Sequence, residues 1–359
     1  MSAGSILDIL KTTFKKWNED KASRLAAALS YYAIFSIGPV ILVIIAIAGL
    51  VFGEQAARGE LVGQIEGAVG SQAAQTIQGI LEALNQRESG IIATVIGVAT
   101  LILGAVGLFG QLQGSLNTIW EVQPKQGRGV MGMVKDRLIA FSMVLLIGLL
   151  LVASLVVTAA LALVSSQFAG LVPPGLGFVW QLLNFLVSFA LTVVLFALIY
   201  RVLPDVKIAW RDIWLGAAFT ALLFAIGRLA LGIYLGSATV GSAYGAAGSL
   251  VVLLVWIYYS AQIFFFGAEF TQVYANRYGA RVAPKERAEW VPGASHAAQA
   301  AAPGQEKLAA EARGGMEVER DRARGAGAPR GRAPAPGYLL LMLAVLFGFI
   351  FGRMRGSRG

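Results

Sequence analysis

The strongest constraint on this chain lies between Trp214 and Phe270, where two apolar runs flank a Gly- and Ser-rich turn. The first run, Ile213 to Leu235, carries one charge, Arg228. The second, Leu250 to Ala268, carries none until Glu269 closes it. A run of about 19 apolar residues is long enough to cross the hydrocarbon of a bilayer. Lipid offers the backbone no hydrogen-bond partner, so a spanning helix is the simplest form for each run. Composition agrees. Hydrophobic residues make up 57% of the chain, charged residues 14%, and the mean hydropathy is +0.69. A soluble domain averages about 45–50% apolar and about 25% charged.

Hydropathy and loop charge together predict an all-α, polytopic membrane helix bundle. Six spanning helices are expected: Leu29–Phe52, Ile91–Gln113, Leu138–Val164, Gln181–Leu203 and the two arms of the hairpin. Basic clusters fall at the N-terminus and after the second, fourth and sixth spans. The loop after the first span is net acidic, and those after the third and fifth carry no charge. The positive-inside rule then puts the N-terminus and the far end of the six-span core in the cytoplasm. The net charge of +9 is read as attraction to anionic membrane lipids, not nucleic acid, because no basic-aromatic module accompanies it. With no cysteine, disulfides and thiolate metal sites are excluded. No cofactor is expected.

Residues 1–28 form a basic segment whose Ile6, Ile9, Leu10, Phe14 and Trp17 recur at helical spacing. The expectation is an amphipathic helix on the inner membrane surface, the alternative a solvated charged helix. The six-span domain is bounded at 29–280. Within it an outer loop, 53–90, reads as two short amphipathic helices broken near Gly70 and Ser71. Pro39 sits inside the first span and removes one ladder hydrogen bond, so a kink is expected there. Small residues four apart, such as Gly110 and Gly114, suit close helix approach. Residues 281–337 are rich in Ala, Gly, Pro, Arg and Glu, a composition that reads as a disordered cytoplasmic tether. Residues 338–359 end the chain with an apolar run, 338–352, and three arginines. At about 15 residues it is short for a span. It reads as a short seventh C-terminal helix, with an interfacial anchor as the alternative.

Four separated stretches carry a family resemblance. They are AAALSYYAIFSIGPVILVI from Ala26, GLFGQLQGSLNTIWEV from Gly107, LPDVKIAWRDIWLGAAFTALLF from Leu203 and YGAAGSLVVLLVWIYYSAQIFFFGAEF from Tyr244. In that order they resemble the YihY/BrkB family over about residues 8 to 280. The resemblance implies a six-span bacterial inner-membrane protein. It brings an old ribonuclease BN label, generally regarded as a misassignment, and a link to serum resistance. Some relatives have been proposed to export or flip envelope lipids. The tether and the last apolar run depart from the pattern and inherit nothing.

The ribonuclease label fails on the residues. Metal-dependent hydrolysis needs clustered His and carboxylate ligands, and acid–base chemistry needs a positioned titratable pair. The only histidine, His296, lies in the tether, and the acids are scattered. The chain is therefore read as no enzyme, with no catalytic and no metal-ligating residue. A carboxylate-only metal site at loop ends is the remaining alternative.

The candidate anion- or substrate-binding group is built on Arg228. A guanidinium within an apolar helix costs about 2.5–3.5 kcal/mol on insertion scales, and such charges usually face a cavity or a partner. Arg228 lies about 10 Å from the outer end of its helix, so snorkelling to the surface is the competing reading. Asn184, Thr158 and Tyr244 fall at comparable depth or in the outer turn. An inner polar group is expected from Gln111, Asn117, Glu121, Gln262 and Glu269, either as one end of an alternating-access path or as ordinary interhelical hydrogen bonding. The function read from this is a transporter or flippase of an anionic or amphipathic envelope component. The alternative is a non-catalytic scaffold of the inner membrane. Membrane lipids are the expected partners. No ATP-binding G-x-x-x-x-G-K motif is present, so this chain alone is not read as an ATP-driven pump.

Overall fold

The computed structural model describes residues 3–69, 71–85, 107–125, 177–237, 248–279 and 282–292, with isolated stretches between 104 and 160. The chain divides into two units, Met1–Glu289 and Trp290–Gly359, and the described helices all belong to the first. They are α1 (Ala3–Glu19), α2 (Ala22–Phe52), α3 (Glu54–Val69), α4 (Ser71–Asn85), α5 (107–119), α6 (Leu145–Ser154), α7 (Gly177–Val202), α8 (Trp210–Ser237) and α9 (Gly248–Tyr278). Two small antiparallel ladders join them. In one, β1 (Val122–Pro124) pairs with β4 (Ala288–Trp290). In the other, β2 (Val206–Lys207) pairs with β3 (Ala283–Pro284).

Among the described residues three helices, Gln181–Val202, Trp210–Ile233 and Gly248–Tyr278, are long and apolar enough to cross a membrane. The segments Ala22–Gly38 and Val40–Leu50 of α2 count as a fourth if taken together; they meet at 46° with Pro39 between them. A proline inside a helix removes one backbone bond and clashes with the preceding turn, which is the physical cause of such a bend. Most of the expected second and third spans, the expected tether beyond 292 and the short helix at 338–352 lie outside the described residues.

α7, α8 and α9 form the centre. Tyr200 is fully buried where they meet, its hydroxyl donating to the Phe264 carbonyl at 2.7 Å and lying 3.1 Å from Thr220 Oγ1. The crossing of α8 and α9 is set by two reciprocal glycine–threonine contacts. A Cβ on Gly216 would fall 1.9 Å from Thr271 Oγ1, and one on Gly267 would fall 1.9 Å from Thr220 Oγ1. Each threonine hydroxyl donates to the carbonyl one turn back on its own helix, Thr220 to Gly216 and Thr271 to Gly267, both at 2.7 Å. The missing side chains let the backbones close up, the small-residue packing expected of helices in lipid.

At one end, α3 and α4 pack Leu61, Ala74, Ile77 and Leu81 against Ile41, Ile44 and Ile45 of α2 and Val252 and Leu253 of α9. At the other end lies α1. Its Ile9, Thr13 and Trp17 recur every four residues and are buried. The Ile9 side packs on Phe270, Val273 and Tyr274 of α9. The apolar face expected to lie on the membrane surface is thus taken up largely by α9, while Ile6 and Leu7 stay exposed.

Two further expectations change. Glu269 does not close its helix: α9 runs on to Tyr278, because α1 supplies a partner for the apolar residues beyond it. The tether does not begin at 281 either, since β3 and β4 fold residues 283–290 back into ladders with β2 and β1.

Candidate functional site

The end of the bundle that carries α1 gathers the polar side chains, and they form two nodes. The first is centred on Asp205, 1% exposed, in the turn between α7 and α8. Its Oδ2 accepts from Asn117 Nδ2 at 2.9 Å and from Gln113 Nε2 at 3.2 Å. Its Oδ1 accepts from Arg287 Nε at 2.7 Å and lies 2.6 Å from Arg287 Nη2. Its own N–H donates to Asn117 Oδ1 at 2.8 Å, and its carbonyl accepts from the Lys285 N–H at 2.8 Å. Every part of the aspartate is used, which is how a buried charge is tolerated. Lys285 Nζ donates to the Val202 carbonyl at 2.9 Å. Burial and the neighbouring Arg287, against the pull of Asp205, bring the Lys285 amine down to about 8.

The second node surrounds Glu269, whose side chain is fully buried on α9. Asp20 of the α1–α2 corner and the Lys16–Glu121 ion pair are its charged neighbours. The backbone takes unusual turns to bring them in. Lys21, next to Asp20, has φ 53°, and Glu121 has φ 55°. Left-handed backbone costs a non-glycine residue about 1–2 kcal/mol, so the surrounding contacts hold both corners in place. Burial works against the Lys16 charge, yet its hydrogen bond to Glu121, with Asp20 and Glu269 nearby, holds the ammonium above the usual lysine range. Burial lifts the Asp20 carboxyl above its usual range, against the pull of Lys16. Gln272 belongs here too, since its Nε2 donates to the Ile119 carbonyl at 2.7 Å.

Buried polar atoms without a partner among the described residues lie here and along α9, the donors Trp17 Nε1 and Trp120 Nε1 among them. Glu269 Oε1 and Oε2, Asp20 Oδ2, Gln262 Oε1, Gln272 Oε1 and Asn276 Oδ1 are all buried atoms with no hydrogen-bond donor among the described residues. Residues 262, 269 and 276 recur every seven positions, one face of α9. Among the described residues no group of three or more His, Cys, Asp or Glu side chains is arranged to hold a metal ion.

The expected inner polar group is therefore divided. Asn117 serves Asp205, Glu121 and Glu269 meet in the second node, Gln262 stands further along α9, and Gln111 donates to Ser115 at 3.3 Å. Asp205, Asp20, Lys16, Arg287 and Gln272 are not in that group. The available signal for Asp205 was a lone acid after Pro204 in a short basic loop.

Arg228 stands elsewhere, exposed on α8 at a narrow cleft against α9 lined by Phe224, Trp256, Tyr259 and Ser260. Beside it Leu222, Ile226, Leu229 and Ile233 form an exposed apolar ridge. Asn184 is exposed on α7. Thr158 and Tyr244 lie outside the described residues.

The family model described as Virulence factor BrkB matches residues 13–291. A UPF0761 membrane protein of Verminephrobacter eiseniae is 30% identical over 73% of this chain and 60% of its own length. One of Ralstonia nicotianae is 28% identical over 71% of this chain and 56% of its own. A third, of Mannheimia succiniciproducens, is 30% identical over 72% and 86%. The chain thus spans a little over half the length of the first two. No solved structure matches it.

Proposed function

The chain belongs to the BrkB family of membrane proteins, and from that premise we propose that it moves an anionic amphipath, a lipid-like envelope component, across the bilayer. The observation that carries this reading is the setting of Arg228. Its guanidinium is exposed at the α8–α9 cleft next to a ridge of exposed Leu and Ile. An arginine at such a boundary suits a phosphate or carboxylate headgroup, while the ridge keeps the acyl chains in lipid. A soluble anion would have no use for the ridge.

The reading takes the protein as non-catalytic, with six spans, the N-terminus in the cytoplasm and the bacterial inner membrane as its site. The loop charges and the apolar α7, α8 and α9 support it. The test is transbilayer movement of a fluorescent anionic phospholipid in liposomes holding the full chain. Arg228→Ala should abolish movement at unchanged folded protein. Arg228→Lys should restore part of it, because a lysine keeps the charge but not the bidentate fork. Loss of folded protein in step with activity, or full activity in Arg228→Ala, overturns the reading.

A further inference from the structure

We propose that the cleft between α3 and α4 is a binding site for a zwitterionic headgroup, an anion and an ammonium joined by a short linker. The cleft has a volume of about 420 Å³, within the range of about 300–1,000 Å³ usual for ligand pockets. Arg58, Gln55 and Val62 line it from α3, and Glu82, Gln78 and Leu81 from α4. Its floor is apolar, since Leu81 is buried in the core and Val62 is half-buried. Gln55, Gln78 and Glu82 are exposed at its rim.

Two charges of opposite sign line this space without meeting. Among the described residues no ion pair joins Arg58 to Glu82, and Arg58 Nε is buried with no hydrogen-bond partner. A guanidinium N–H shut off from water is costly to leave without an acceptor. A phosphate or carboxylate supplies one, and suits the guanidinium fork. A purely anionic ligand would bring its charge against Glu82, and a purely cationic one against Arg58. A ligand with both signs satisfies both residues. The glutamine amides can donate to its oxygens, and Val62 and Leu81 can carry its apolar part.

The site lies at the end of the bundle opposite α1, where α3 and α4 pack on α2 and α9. It shares no lining residue with the α8–α9 cleft of Arg228, and it does not depend on the transport reading. Such a headgroup belongs either to a membrane lipid or to a soluble zwitterion, and the test separates the two sources.

The chain has no cysteine. Gly59 lines the cleft from α3, is exposed, and has open space where its Cβ would be. Gly59→Cys in the full chain therefore gives one thiol, whose rate of reaction with a maleimide reports the cleft alone. Short-chain phosphatidylethanolamine should slow that reaction several-fold. Phosphatidylglycerol with the same chains, anionic but without an ammonium, should not. Glycerophosphoethanolamine slowing the reaction as much would make the ligand a soluble zwitterion, and its having no effect would make it a lipid; either supports the site. In the same background Glu82→Gln should erase the preference by admitting phosphatidylglycerol, and Arg58→Gln should abolish protection by both lipids. Glu82 is exposed, so its replacement decides if Arg58→Gln does not fold. Equal protection by the two lipids, protection by neither, or a preference that survives Glu82→Gln overturns the proposal. Arg228→Ala should leave the preference unchanged, so this proposal and the transport reading fail separately.

Discussion

Asn117 and Asp205, 88 residues apart, exchange two hydrogen bonds: the amide donates to the carboxylate at 2.9 Å, and the aspartate N–H donates to the amide oxygen at 2.8 Å. This pairing ties the end of α5 to the turn between α7 and α8. Arg287 closes it from the far side through the same carboxylate. Removing Asn117 leaves the buried Asp205 N–H without its acceptor. Asn117→Ala should cost about 1–3 kcal/mol. Asp205→Ala, which takes the carboxylate from Gln113, Asn117 and Arg287 at once, should cost about 3–5 kcal/mol. Both are read as lowered thermal midpoints in detergent, with Asp205→Ala the lower.

The same node predicts where the chain can be shortened. A protein ending after Pro292 keeps Lys285 and Arg287 against Asp205, and β3 and β4 on their partners. One ending after Val282 loses all of these. The first should unfold at the wild-type midpoint. The second should resemble Asp205→Ala, and a first truncation equally unstable would show that later residues hold the fold.

The α8–α9 crossing gives a sharper contrast. Gly216→Ala drives a methyl group into Thr271 Oγ1, which is held by its bond to the Gly267 carbonyl. Overpacking of this kind costs about 1–3 kcal/mol or more. Gly232 lies on the same helix with open space where its Cβ would be. There the change to Ala should be neutral or stabilise by up to about 1 kcal/mol, from helix propensity. Adding Thr271→Ala to Gly216→Ala should recover most of the loss, a coupling that a double-mutant cycle measures.

These contacts mark what was legible in the sequence. The apolar runs of α7, α8 and α9 announce themselves because lipid-facing residues need no partner to specify them. The bend at Pro39 follows from the chemistry of one residue. The polar nodes do not show in this way, because each is assembled from distant segments. Asp205 reads as a solvated loop acid until Gln113, Asn117 and Arg287 enclose it. Lys285 and Arg287 read as membrane-surface charges, and both are bonded into the bundle. Glu269 marks the end of hydropathy, but the helix continues because α1 covers the next turns. Arg228 was visible as an anomaly of charge; its exposed setting required the packing of α8 on α9.

Asp20 supplies a dependence of stability on pH. Burial raises its carboxyl in the folded protein above the value near 4 expected of an unfolded chain. Between the two values the folded state holds more protons, so its contribution is fully present at low pH and is lost as pH rises through the folded value. Lys16 limits the size of the effect. Asp20→Asn should flatten this slope in a series of thermal midpoints taken upward from about pH 4. An unchanged slope would mean the carboxyl is ionised as freely in the folded protein as in the unfolded chain.

Lys285 responds in the opposite sense and can be followed chemically. Its amine, brought down to about 8 by burial and by Arg287, releases its proton well before an unfolded lysine near 10.4. As pH falls from about 10.4 toward 8 the unfolded chain binds the proton first, so stability is greatest above that window and declines through it. A neutral amine is also the nucleophile. Under brief exposure to an amine-acylating reagent, Lys285 should react with a midpoint near pH 8, well below the value of an unfolded lysine. Replacing Asp205 with Asn removes the negative charge that opposes this shift, and should move the Lys285 midpoint lower still. A midpoint at the value of an unfolded lysine would show that the Lys285 side chain is solvated and not held against the Val202 carbonyl.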